Sequence, residues 1–117
     1  MPLAAILVAC TAAAAAPKPK CTVTEDMVAG AWKSVSGPSF FQEMEFGRSD
    51  GKRPFSSWLH HRPELSGEWK LADCRLQVRA ESPDYSFDFV SVRVRGDRLY
   101  LKEAGARSEA VYKRIKP

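Results

Sequence analysis

The sequence predicts an all-β fold in which eight short antiparallel strands follow a brief helical turn and close into a barrel. Segments with alternating apolar and polar residues recur from about residue 31 to the C-terminus. Turn signals separate them at intervals of roughly 8–12 residues, a pattern typical of sandwiches and barrels. Helices do not alternate with these segments, as a parallel α/β sheet would require. The interior of such a barrel holds side chains or one small ligand.

The first elements are delimited by glycine and proline. Residues 24–29 fit one helical turn with acidic residues near its start, and Gly30 ends it. A strand over residues 31–36 follows, until Gly37 and Pro38 break it. The next strand, over residues 40–46, has two alternating faces. One face carries Phe40, Gln42, Met44 and Phe46, and the other carries Phe41, Glu43 and Glu45.

The remaining strands follow from the same alternation and from the turns between them. We expect them over residues 55–60, 68–71, 74–80 and 85–94, around Leu99 and Leu101, and over residues 112–115. In the long strand 85–94 the apolar residues change phase between Phe89 and Val90. A one-residue β-bulge at this point would keep both halves facing the interior, and barrels use such bulges to bend long strands.

Size and charge limit the classes of function. The chain has 117 residues, enough for one domain. Its net charge of +4 comes from basic residues interleaved with acidic ones, which is typical of a solvated mixed surface. This charge is too small to predict nucleic-acid binding. We expect one barrel domain over residues 21–117, acting as a monomer.

Residues 1–20 have the character of an export signal followed by a tether. The apolar core over residues 3–9 is far shorter than the ~20 residues that span a bilayer, and it fits a secretory signal. Leu-Val-Ala-Cys at residues 7–10 resembles the lipobox of bacterial lipoproteins, which predicts a lipid anchor on Cys10. Thr11, where Asp would indicate inner-membrane retention in such lipoproteins, favours the outer membrane. The alternative is a plain signal peptide cleaved within residues 12–16.

The other two cysteines are expected to form a disulfide. An exported chain folds in an oxidising compartment, so Cys21 and Cys74 form the expected pair. Their loop of about 54 residues gives stabilisation on the order of 3–4 kcal/mol in the chain-entropy model. A metal site is disfavoured because His60 and His61 are adjacent and would point to opposite faces of a strand. We expect neither a metal nor another cofactor.

A set of short motifs resembles the lipocalin-like small barrels of bacteria over residues 24–116. The set consists of Gly30-x-Trp32, Gly67-Glu68-Trp69, the segment 96–101 and Tyr112-x-Arg114. In the lipocalin pattern, the Trp of the Gly-x-Trp motif closes the barrel floor and a late Arg packs over its ring. The resemblance assigns these roles to Trp32 and Arg114, and a guanidinium over an indole contributes about 0.5–2 kcal/mol.

Aromatic and apolar side chains are the candidate ligand-binding residues. A cavity would be lined by Phe40, Met44, Phe46, Phe55, Trp58, Trp69, Phe87 and Phe89. The alternative is that they fill a small core, because a domain of this size buries little surface per residue. Catalysis is not expected, since the carboxylates are scattered and no Gly-x-Ser-x-Gly elbow is present.

The sequence therefore predicts a non-catalytic protein on the periplasmic side of a bacterial cell envelope. Its predicted role is to bind a small apolar ligand in the barrel mouth or to contact another envelope component. The chain is also similar to small periplasmic inhibitors of secreted metalloproteases, which share the eight-stranded barrel, one disulfide and a Gly-x-Trp start. That resemblance implies that residues 12–20 would enter a protease cleft, a role that a lipid on Cys10 would disfavour.

Overall fold

Eight antiparallel strands form a closed barrel in the computed structural model of this chain, which describes residues 21–81 and 85–116. The elements are α1 (Glu25–Val28), β1 (Gly30–Ser36), β2 (Glu43–Phe46), β3 (Pro54–Leu59), β4 (Arg62–Ala72), β5 (Arg75–Ala80), β6 (Ser86–Arg95), β7 (Arg98–Glu103) and β8 (Ala110–Arg114). Each strand pairs with the next along the chain, and β8 pairs with β1. The predicted all-β class, the eight-stranded antiparallel barrel and the short N-terminal helix are confirmed.

The alternating strand directions give the barrel two different ends. At the end that we call the helix end lie α1 and the connections over residues 47–53, 73–74 and 96–97. At the opposite end, which we call the rim, lie the connections over residues 37–42, 60–61 and 104–109, together with Glu81 and Tyr85. Residues distant in sequence therefore meet at each end.

Two strands begin three or more residues away from the predicted position. β2 begins at Glu43 rather than at residue 40, because the preceding aromatic residues belong to a rim loop. The predicted faces of these residues are consequently wrong: Phe41 is buried and Phe40 is 51% exposed. β4 begins at Arg62 rather than at residue 68, since His60 and His61 form a two-residue turn with positive φ angles of 52° and 65°.

β6 carries a β-bulge, and β4 has a glycine at a close backbone approach. In β6 the register shifts between Phe89 and Ser91, which confirms the predicted bulge. In β4 the backbone at Gly67 approaches β5 so closely that a Cβ atom there would lie 1.8 Å from the carbonyl oxygen of Arg79. Only glycine fits this close approach without a backbone shift.

Apolar side chains from all eight strands fill the barrel interior as one cluster. Its buried members are Val28, Trp32, Phe41, Met44, Phe46, Phe55, Leu65, Trp69, Leu76, Val78, Ala80, Phe87, Phe89, Val92, Leu99, Leu101, Ala110 and Tyr112. The clean burial alternation along β5 shows how the period-two pattern of the sequence produces this interior. An interior occupied in this way is the expected state of a small eight-stranded barrel.

A disulfide joins Cys21 to Cys74, as predicted, with a Cα–Cα distance of 5.5 Å. It ties the start of the domain to the β4–β5 turn at the helix end. Cys74 itself lies in this turn with a φ of 59°, so β5 begins only at Arg75. The predicted lipidation at Cys10 and the predicted tether lie outside the described residues. Within the described ranges, no helix is long and apolar enough to cross a bilayer.

Candidate functional site

Trp32 and Arg114 lie together at the helix end, where they are cross-strand partners on β1 and β8. The Trp32 side chain is fully buried, and its Nε1 donates a hydrogen bond to the Val28 carbonyl at 2.9 Å. The Arg114 guanidinium lies 4.2 Å from the centroid of the Trp32 ring. Its nitrogens donate to the carbonyl oxygens of Ala29 and Met27, both at 2.8 Å. These contacts hold α1 across this end of the barrel.

Gly30 is required by the same arrangement. It has a φ of +124°, and a Cβ atom there would lie 2.5 Å from Nη1 of Arg114. A side chain would therefore strain the backbone and displace the guanidinium from the Trp32 ring. The Gly-x-Trp motif and the late arginine thus form one structural unit that holds the helix end together.

The eight predicted cavity-lining residues are placed in two groups. Six are buried in the interior cluster: Met44, Phe46, Phe55, Trp69, Phe87 and Phe89. The Phe46 ring packs against Phe55 and Trp69 at centroid distances of 5.4 and 5.5 Å. Such contacts leave these rings filling the core rather than facing an internal space. The other two residues lie elsewhere, since Phe40 is in a rim loop and Trp58 is half-buried on the outside of β3.

A cluster of aromatic rings covers the rim, and we call it the rim cluster: Phe40, Phe41, Tyr85 and Phe87. Phe41 packs against Phe87 at a centroid distance of 4.8 Å, and Phe40 packs against Phe87 at 5.1 Å. Phe40 and Tyr85 remain 51% and 48% exposed. The rim therefore presents two exposed rings above a closed apolar layer.

Tyr112 is the buried titratable group of the interior. Its hydroxyl hydrogen-bonds with Ser39 Oγ, and Ser39 in turn bonds to the backbone of Phe41. Burial raises the pKa of Tyr112 to about 12, although the hydrogen bond between its hydroxyl and Ser39 opposes this shift. The phenol is therefore neutral at physiological pH. Its role is to anchor the rim loop that carries Phe40 and Phe41, and it is not positioned for acid–base chemistry.

A groove of about 760 Å³ lies on the outside of the barrel at the helix end. The groove is lined by Val92, Arg93, Val94 and Arg95 of β6 and by Cys21, Thr22, Val23, Met27, Asp73 and Cys74. The groove exists because β5 and β6 have different lengths. Their pairing ends at Leu76 and Phe89, whereas β6 continues to Arg95 along β7 alone.

The groove-facing side of β6 presents backbone hydrogen-bonding groups. Arg95 and Arg98 flank a two-residue turn and form a hydrogen-bonded pair of the β6–β7 ladder. Arg93 and Tyr100, two residues further along, form the next hydrogen-bonded pair. Since hydrogen-bonded pairs alternate along an antiparallel ladder, Val92 and Val94 direct their N–H and C=O groups away from β7 and into the groove. Within residues 21–81 and 85–116, no backbone group pairs with them on that side.

A smaller groove of about 310 Å³ lies on the outer wall beside Trp58, His61 and Ile115. His60 and His61 occupy a turn, and the His60 N–H donates to Gln42 Oε1 at 2.6 Å. In the described ranges, no group of three or more His, Cys, Asp or Glu side chains is placed to hold a metal ion.

Sequence reasoning did not identify the rim cluster or the groove along β6. Phe41 was expected on the strand face opposite to Phe40, Met44 and Phe46, and Tyr85 was not proposed as a site residue. A signal for the groove exists in the sequence, because the predicted strand 85–94 is longer than the predicted strand 74–80 that precedes it. No protein-family model, curated protein or solved structure matches this chain.

Proposed function

We propose that this chain is a non-catalytic protein of the bacterial cell envelope that contacts another envelope component through its outer surface. The main support for the proposal is that side chains fill the interior of the barrel. Six of the eight predicted cavity residues pack into one buried cluster with the other core side chains. A small apolar ligand would have to displace this cluster, at a cost comparable to that of repacking a core. Surface contact is therefore favoured over binding inside the barrel.

The proposed location is the periplasmic side of the envelope, with a lipid on Cys10 as the anchor to the outer membrane. The Cys21–Cys74 disulfide supports an oxidising compartment. Its position at the helix end means that a chain leading from Cys10 to Cys21 joins the barrel at that end. The rim would then be the end opposite the point of attachment.

A second candidate is inhibition of a secreted protease, by analogy with the small barrel inhibitors that the chain resembles. One observation favours it: the disulfide fixes Cys21, so residues 12–20 directly precede a rigid attachment point at the helix end. In that function these residues would enter the protease cleft, and the barrel would act as a scaffold. A lipid on Cys10 would tie the same segment to a membrane and would argue against this function.

Native mass spectrometry of the full chain purified from envelopes tests the proposal. We expect a mass that includes a lipid on Cys10 and the disulfide, with no small molecule retained in stoichiometric amount. A retained apolar molecule, released only when the protein unfolds, would contradict the surface-contact role. An unlipidated chain cleaved within residues 12–16 would contradict the anchor and favour a secreted protein.

A further inference from the structure

The segment of β6 over residues 90–95, which we call the β6 edge, borders the groove at the helix end with its backbone available for pairing. The N–H and C=O groups of Val92 and Val94 face the groove, as the β6–β7 register requires. An available strand edge is a template for an added strand, and its main-chain hydrogen bonds supply affinity without demanding a particular sequence. The groove volume of about 760 Å³ leaves space beside this edge.

Side chains around the β6 edge define what an added strand would need. Val23, Met27, Val92 and Val94 give the groove an apolar floor. On the outer face, Arg93 and Arg95 are both exposed. Arg93 is held by two hydrogen bonds to Glu109, at 3.1 and 2.8 Å, and leans over the Tyr100 ring. Arg95 has no ion-pair partner among the residues that the structure describes.

We propose that the β6 edge binds an extended segment of a partner protein in which apolar residues alternate with acidic ones. The apolar residues would face the groove floor, and the acidic residues would lie beside Arg95 and Arg93. Opposite charges placed directly across a strand pair are favourable and like charges are unfavourable. This inference rests on the proposed surface-binding function and names the chemistry of the partner.

Two other occupants fit the β6 edge less well. A second copy pairing antiparallel through the same edge would bring Arg93 and Arg95 of both chains close together. The chain's own residues 12–20 contain Pro17 and Pro19, which lack the N–H that a ladder needs. The same segment carries Lys18 and Lys20, which would repel the arginines. Arg93 is already paired with Glu109, and Asp73 also lines the groove, so it is the charge of Arg95 that favours an acidic partner strand.

Nuclear magnetic resonance on the ¹⁵N-labelled full chain, with the disulfide formed, tests the proposal. The probe is a seven-residue peptide of alternating Val and Glu, and the comparison peptide carries Lys in place of Glu. We expect saturable shifts and slowed solvent exchange at the amides of Val92 and Val94 with the Glu peptide. The Lys peptide should bind at least roughly threefold more weakly, given the energies of cross-strand charge pairs.

Charge reversal of Arg95 provides the matched variant. Arg95→Glu should weaken the binding of the Glu peptide roughly three- to fivefold and strengthen the binding of the Lys peptide. Arg107→Glu, at an arginine that is also exposed but lies on the rim, should leave both affinities unchanged. Shifts confined to the rim cluster, equal affinity for both peptides, or protection of the Val92 and Val94 amides before peptide is added would each overturn the proposal. A retained small ligand in the envelope-purified protein would instead overturn the surface-contact function, whatever the peptides do.

Discussion

Trp32→Ala is expected to lower the free energy of unfolding by about 3–5 kcal/mol, the range found for removing a large buried aromatic side chain. The ring is fully buried, so its loss leaves a cavity at the helix end. The substitution also removes the hydrogen bond to the Val28 carbonyl and the surface on which the Arg114 guanidinium rests. Denaturant unfolding followed by circular dichroism measures the change.

Two matched variants separate the causes of this loss. Trp32→Phe keeps most of the apolar volume but loses the indole N–H, so we expect a smaller decrease of about 1–2 kcal/mol. Trp58→Ala removes the same type of side chain from the outside of β3, and we expect a decrease of about 1 kcal/mol or less. If Trp32→Ala lowered the free energy of unfolding no more than Trp58→Ala does, the contact of Trp32 with Arg114 would not be what closes the helix end.

Loss of the disulfide is expected to lower the free energy of unfolding by about 4 kcal/mol. Cys21 and Cys74 are separated by 53 residues, and opening so large a loop increases the entropy of the unfolded chain. The Cys21→Ser and Cys74→Ser double variant should also release the segment that carries Val23 against the core. Equilibrium unfolding of the oxidised protein and of the double variant gives the difference.

Cys10→Ser is the control for the disulfide experiment, because Cys10 precedes the barrel domain. It should leave the unfolding free energy of the domain unchanged and retain the Cys21–Cys74 bond. A double variant as stable as the oxidised protein to within about 1 kcal/mol would contradict the stabilising role, since the chain-entropy contribution would then be absent.

The alternation of apolar and polar residues made the barrel predictable, and its change of phase made the β-bulge in β6 predictable as well. The apolar residues on either side of Phe89 change phase, and only an extra residue in the strand lets both halves face inward. The Gly-x-Trp motif and Arg114 were likewise readable as a pair through a family resemblance. The geometric reason for Gly30, which is the space needed by the guanidinium, is visible only in three dimensions.

The rim could not be predicted because its contacts join distant loops. Phe40 and Phe41 follow Gly37-Pro38 and belong to no strand, so the period of two does not decide which ring is buried. Phe41 is buried because Phe55 and Phe87 pack against it. The start of β4 was missed because its second residue is Pro63, and a proline usually indicates the edge or the end of a strand. The groove depends on where β5–β6 pairing stops, which no local pattern specifies.

The central claim is that side chains fill the barrel interior and that the protein acts through its surface. Quenching of tryptophan fluorescence by a brominated fatty acid tests this claim most directly. In a Trp58→Phe variant the remaining tryptophans are Trp32 and Trp69, which are 0% and 3% exposed inside the barrel. Bromine quenches only on close contact, so a filled interior predicts no saturable quenching of these two residues. Saturable quenching with one fatty acid bound per barrel would show that an apolar ligand enters the interior, and would contradict the account.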